Sequence, residues 1–187
     1  GKGQENWEDF SEPLECFTGL LVLDADGLNR LAGSVEGWSW LRKRHGPTWI
    51  TPHREEFCRL FPDLKNLDPL EAASQAAQLS GAVVLLKGAH SVIADPEGAL
   101  WQLAETAPWV ARTGLGDVLS GFVTGLGALA MVTTGSVEAE LLACSALMHA
   151  EAARNCKEGS SPSAIAESLK TIVKAIQKKD LDLTAFD

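Results

Sequence analysis

The stretch Ala111-Arg-Thr-Gly-Leu-Gly-Asp-Val-Leu-Ser-Gly121 decides how this chain is read. It opens with Thr113, Gly114 and Gly116 and runs without a break into an apolar helical segment, Val118 to Met131. Gly114 and Gly116 withhold side chains where a backbone comes close to something else. The first-turn amides of a helix lack intrahelical partners and point out of its end. With the macrodipole, that end carries roughly half a positive charge and favours anions. Asp117 is the odd member, because a carboxylate inside an anion site repels the anion unless it has its own task. Taking a proton from a hydroxyl that attacks phosphorus is such a task. The plainer alternative is that Asp117 simply favours a helix N-terminus, and a lone Gly-x-Gly says little by itself.

At 187 residues and 45% hydrophobic, the chain can form one domain with a sizeable core. Its 25 acidic against 16 basic residues, a formal charge of -9, argue against a nucleic-acid backbone or an anionic membrane as partner. A bound phosphate would rest on local amides and one or two lysines. Cys16, Cys58, Cys144 and Cys156 form no Cys-x-x-Cys pair. Cys58 and Cys144 fall in apolar helical patterns, as reduced core thiols of a cytoplasmic protein would. No metal-ligand cluster is expected. Gly1 to Glu15 is polar and acidic, unlike a signal or transit peptide. The longest apolar run, Phe122 to Val132, holds Gly125 and Gly127, which are expected to break it short of a membrane span.

Leu20 to Leu23 is a continuous apolar run, the pattern of a strand buried on both faces. It ends in Asp24-Ala-Asp26, and Leu28, Leu31 and Ala32 then repeat at helical spacing, with Asp26 as the cap. Asp24, at the strand's carboxyl end, is placed to face the ligand crevice of an open sheet. Val35 to Arg44 reads as a helix with Trp38 and Leu41 inward and Trp40 more exposed. Trp49-Ile50 ends a second strand. Thr51 as cap, Pro52 at the first helical position and Glu55-Glu56 in the first turn then start a helix. His53 lies on that first turn; its default reading is an exposed polar side chain with no task. Leu70 to Leu79 is an Ala-rich helix ended by Gly81.

Ala82 to Leu86 is the next all-apolar strand and closes with Lys87-Gly-Ala-His-Ser91. A lysine at the end of a buried strand loses hydration unless an anion meets it. Val92 to Ala94 and Ala99 to Leu103, joined by Asp95-Pro-Glu-Gly98, read as a hairpin with Trp101 inside. Val137 to Cys156 and Ser163 to Lys178 are amphipathic packing helices, and His149 on the first reads as a satisfied histidine. Strands alternating with helices argue for an α/β fold, a mostly parallel sheet flanked by helices. His53, Lys87-Gly88 and Gly116-Asp117 each follow a strand or open a helix, so they can converge on one crevice.

Four segments together resemble the ADP/ATP-dependent NAD(P)H-hydrate dehydratases of the ribokinase-like superfamily. They are Val22-Leu-Asp-Ala-Asp-Gly-Leu-Asn29, Thr51-Pro-His-Arg-Glu-Glu-Phe57, Val84 to Asp95, and Thr113-Gly-Leu-Gly-Asp-Val-Leu-Ser-Gly121. The last would fit many sugar and vitamin kinases, while the Thr-Pro-His and Lys-Gly-Ala elements narrow it. The resemblance implies that His53 and Asp117 contact the hydrated nicotinamide nucleotide. It implies that Lys87, Gly88, Ala89, His90, Ser91 and Gly116, with the Gly114 amide beside them, hold ADP or ATP, accompanied by Mg²⁺. Asp117 would be the catalytic base. Thr113 stands where the family usually has a further glycine, and Leu115 replaces a small or polar residue.

The family's domain begins with a βαβ region whose Gly-Pro-Gly loop lines the dinucleotide pocket, and Gly1-Lys-Gly3 reads as the stump of that loop. Residues 1–187 are thus expected to be one ribokinase-like domain lacking its N-terminal portion. A homo-oligomer is expected from the family. Two rival readings stand beside repair of hydrated NAD(P)H: a vitamin or sugar kinase leaving a stable phosphorylated product, and a non-catalytic nucleotide-binding fragment.

Overall fold

The computed structural model describes residues 7–104 and 114–184, with side chains through residue 177. Helix α1 (Glu8–Cys16) leads into β1 (Leu21–Leu23), α2 (Ala25–Gly33) and a 3₁₀ segment (Gly37–Lys43). Then come β2 (Thr48–Ile50), α3 (Arg54–Leu60), α4 (Pro69–Ser80), β3 (Val83–Leu86), β4 (Val92–Ala94) and β5 (Leu100–Gln102). Three helices close the order: α5 (Leu115–Thr134), α6 (Ala139–Arg154) and α7 (Pro162–Thr184).

The five strands stand in sequence order across one sheet. β1, β2 and β3 pair parallel, while β3–β4 and β4–β5 pair antiparallel. The expected hairpin is therefore present, and it makes the sheet evenly mixed rather than mostly parallel. Short turns such as Lys87–Ser91 and Asp95–Gly98 can only return the chain antiparallel, whereas the parallel pairs need helical crossovers.

Alternation along each strand sorts the core into two faces. Leu23, Ile50, Val84, Leu86, Val92 and Ala94 point to the side carrying α2, α3, α4 and the 3₁₀ segment. Trp49, Leu85 and Ile93 point to the side carrying α5 and α6, with Val22, Val83 and a half-buried Trp101 at its margin. A third cluster, built on Ala152, Ala153, Ile165 and Leu169, binds α7 to α6.

Several local expectations are corrected. Residues 37–43 are 3₁₀, and Trp40 is fully buried, edge-on to Trp7 at 4.7 Å between ring centroids. Trp38 instead is half-buried and stacks on Phe61. Asp24, not Asp26, occupies the N-cap position of α2. Thr51 is buried and knits β2 to β1, its amide donating to the Leu23 carbonyl at 3.1 Å, while His53 caps α3. The four cysteines are free, but Cys144 is exposed and Cys58 only half-buried.

Gly125 and Gly127 do not interrupt α5. By length and composition it is a helix able to cross a membrane, yet its Leu119, Val123 and Gly127 stripe lies buried, with Leu119 and Val123 in the sheet-facing core. Gly127 is needed for close approach: a Cβ there would stand 3.2 Å from the Trp49 ring and even nearer Leu20.

Candidate functional site

β1, β2 and β3 end side by side, and each hands the chain to a polar residue. Asp24 follows β1, the Thr51-Pro52-His53 turn follows β2, and Lys87 follows β3. Backbone pairing continues past the strands, since the Lys87 amide donates to the Pro52 carbonyl at 2.8 Å and His53 bridges Lys87 in parallel register.

The first turn of α5 is set over these strand ends. Gly114 caps it at φ 93°, a left-handed conformation that suits glycine, and a Cβ there would press on Pro162 at 3.1 Å. Gly114 has no side chain to cap the turn, and no side-chain cap is present among the described residues. A Cβ at Gly116 would lie 3.6 Å from Lys87 Nζ and 3.9 Å from Asp24 Oδ2. Lys87 thus reaches the backbone of the glycine turn itself.

Lys87 does meet an anion, and it is the chain's own. Its ammonium donates to Asp24 Oδ1 at 2.7 Å, with both side chains largely buried. The Ser120 hydroxyl donates to Asp24 Oδ2. Asp24 was legible as a crevice residue; Ser120 was missed. Its signal was spacing, because Ser120 follows Gly116 by four residues and so shares its face of α5.

His53 has a structural task that the sequence did not suggest. Its Nδ1 accepts from the Glu55 amide at 3.1 Å and the Glu56 amide at 3.4 Å, capping α3. Glu56 returns the bond, accepting from the His53 amide at 2.8 Å. Acceptance at Nδ1 assigns the proton to Nε2, which lies 3.2 Å from Glu56 Oε1. The ring is about half exposed beside Lys87 and can still offer that edge to a ligand.

Gly88, Ala89 and His90 form the exposed tip of the β3–β4 hairpin. Ser91 closes it, its hydroxyl accepting from the Gly88 amide at 3.2 Å and donating to the Gly88 carbonyl at 3.3 Å. Asp117 is exposed in the first turn of α5, where it lines a groove of about 380 Å³ against α7 with Val118, Phe122 and Leu169. The structure therefore gathers His53, Lys87 and Gly116, and sets Asp117 on the next flank of the same helical turn. Thr113 and Gly1–Gly3 lie outside the described residues. Among the described residues no group of three or more His, Cys, Asp or Glu side chains is poised for a metal.

Behind the turn stands His149, mostly buried on α6. Burial pushes its pKa down to about 4, against a smaller upward pull from a backbone hydrogen bond at Leu115. Its Nε2 is buried without a partner among the described residues, whereas the sequence reads a satisfied histidine.

The model of a family described as NAD(P)H-hydrate dehydratase matches residues 1–177. The bifunctional NAD(P)H-hydrate repair enzyme of Synechocystis is 49% identical over 106 residues, 57% of this chain and 20% of that one. Its namesake in Mycobacterium leprae is 36% identical over 157 residues, 84% of this chain and 32% of that one. The chain thus matches a third or less of these relatives' lengths. Among solved structures, the Bacillus subtilis ADP/ATP-dependent NAD(P)H-hydrate dehydratase, co-crystallised with ATP and Mg²⁺, aligns with a TM-score of 0.65. That alignment covers 83% of this chain and 55% of that one at 24% identity. A Streptococcus mutans protein aligns at 0.68 over 90% of this chain and 60% of its own, at 18% identity. An Enterococcus faecalis protein described as ribokinase-like aligns at 0.61 over 90% of this chain and 68% of its own, at 18% identity, so the likeness is one of fold.

Proposed function

This chain belongs to the NAD(P)H-hydrate dehydratase family, and we propose that its crevice serves the nucleotide-dependent repair of hydrated NAD(P)H. The observation that carries the reading is the meeting of His53, Lys87 and the Gly116 turn, from three distant stretches, at three adjacent strand ends. Ligands of open α/β sheets lie at such carboxyl ends.

The chemistry begins with a hydroxyl left on the nicotinamide ring by addition of water, a poor leaving group. In this reading Asp117 accepts the proton of that hydroxyl as the hydroxyl oxygen attacks the terminal phosphorus of ADP or ATP, whose bond to the bridging oxygen breaks and releases AMP or ADP. The Gly114–Gly116 amides stabilise charge on the transferred group. The phosphate then departs with the ring carbon–oxygen electron pair, a proton leaves the neighbouring carbon, and the double bond is restored.

Lys87 and the Gly88–Ser91 tip position the donor, and His53 borders the nicotinamide nucleotide. The residues fit an anion: Lys87 retains N–H groups beyond the one given to Asp24, next to a helix turn with no side-chain cap among the described residues. Mg²⁺ would arrive with the nucleotide and neutralise phosphate charge. The four free thiols accord with a cytoplasmic location, which goes with this reading. The exposed Leu129 and Val132 on α5 support a homo-oligomer. Neither nucleic acid nor a membrane is a partner in it, and α5 is read as a sheet-packing helix.

The test mixes the purified chain with hydrated NADH and either ADP or ATP and follows the return of reduced-nicotinamide absorbance. Recovery with one donor supports the reading and names the donor. A stable phosphorylated product would replace it with a kinase, and nucleotide binding without turnover with a non-catalytic module. Asp117→Asn should lower turnover by about 10²–10⁴ and leave nucleotide binding nearly intact.

A further inference from the structure

We propose that Asp24 is a positioning residue that restrains Lys87, lowering the site's affinity for the phosphate donor in exchange for turnover; this rests on the reading of the crevice as a phosphate site. Aspartate is among the best N-cap residues, and Asp24 stands at the N-cap of α2, yet its carboxylate makes no capping bond there. Both oxygens turn to other elements instead. Oδ1 accepts from Lys87 at the end of β3, and Oδ2 accepts from Ser120 on α5. The side chain is only 13% exposed. One carboxylate thereby joins the ends of β1 and β3 to the helix turn that would receive the anion.

The arrangement has two opposed effects on an incoming phosphate. Asp24 fixes the direction of the Lys87 ammonium, which has three N–H groups and gives one to the carboxylate. The others remain for a ligand at Gly116, whose missing side chain keeps the approach open. Orientation of this kind is realised in turnover. The same carboxylate cancels part of the ammonium's charge and repels the anion, which weakens ground-state binding. A residue that only supported the fold would affect both quantities in the same direction.

The experiment titrates the intact chain with ADP and, separately, inorganic pyrophosphate by calorimetry, alongside the repair assay. Wild type, Asp24→Asn and Ser120→Ala are compared. Asp24→Asn keeps the shape and removes the charge; it should bind pyrophosphate about three- to tenfold tighter. Its turnover should fall about tenfold as the lysine loses its restraint. In a Lys87→Met background the gain in affinity should vanish.

Unchanged or weaker pyrophosphate binding by Asp24→Asn overturns the inference, whether or not Tm falls. If that variant does not fold, Ser120→Ala decides. Lower turnover with equal or higher affinity supports the restraint; joint loss of both, or no change in either, overturns it. A wild-type chain that binds neither ligand overturns the phosphate-site reading and this inference with it. Wild-type binding with no effect of Asp24→Asn overturns this inference alone.

Discussion

One face of the sheet lies beneath α2, α3, α4 and the 3₁₀ segment, whereas the other carries α5 and α6 with α7 stacked outside them. The first face is filled by large rings: Trp40, Phe57 and Phe61 are fully buried, and Phe57 and Phe61 pack at 5.1 Å between centroids. On the second, α5 buries Leu119, Val123 and Gly127 along its twenty residues, while Leu129 is 59% and Val132 85% exposed. The candidate site straddles this difference. His53 is anchored on the densely covered side; Gly116 and Asp117 ride on the helix whose far end is bare. The lesson is that the crevice joins a wall filled by large rings to a helix that meets the sheet through a narrow stripe and rests Leu115, Val118 and Phe122 on the α6–α7 cluster.

Four measurements would break or sharpen that contrast. The largest effect is expected from Trp49→Ala, which empties the centre of the second face and should cost about 3–5 kcal/mol in denaturant unfolding. Phe57→Ala probes the first face in the same way. If Trp49→Ala cost far less than Phe57→Ala, the α5 face would be packing loosely rather than narrowly.

Next is the pH dependence owed to His149. Its folded pKa near 4 lies below the ordinary value of 6.5, so the unfolded chain protonates first as pH falls. The stabilisation is complete above pH 6.5 and is lost as pH drops toward 4, about 3 kcal/mol in all. His149→Gln should remove that component of the Tm-against-pH curve. A variant curve parallel to wild type would show that the ring is not held neutral behind the glycine turn.

Gly127→Ala follows, at about 1–3 kcal/mol of overpacking. Leu20 can rotate aside, but the Trp49 ring 3.2 Å away is buried on every side. Unchanged stability in a melting experiment would mean that α5 stands farther from the sheet. Smallest is Val132→Glu, expected within about 0.5 kcal/mol because the side chain is exposed. A larger loss, or a change in sedimentation, would reveal that this face is covered in solution.

Much of the architecture was legible because its signals are local. Leu20–Leu23 and Ala82–Leu86 read as strands from unbroken apolar runs, although β1 lies at the sheet edge and buries only Leu23, and Asp95–Gly98 reads as a hairpin turn from composition. Helix starts were less legible. Asp24 and Asp26 are equally good caps by residue type and Thr51 is a better one than His53, and the outcome fell to partners far along the chain: Lys87 and Ser120 for Asp24, the Leu23 carbonyl for Thr51. Trp40 reads as more exposed when Val35 to Arg44 is taken as a helix; the segment is 3₁₀, and Trp40 packs edge-on to Trp7. Lys87 was singled out for lacking an anion, and only the fold could supply one from sixty-three residues away.

The Lys87–Asp24 pair passes over the end of β2, joining strands that are not neighbours. Two interstrand spacings of about 4.8 Å each therefore separate its anchoring backbones. That distance belongs to hydrogen-bond geometry and is common to every sheet, so no side-chain substitution can widen it. The crevice comes with a built-in gauge. Whatever distinguishes one ligand from another here must be read from depth, charge and the loops above, because the floor has a fixed width.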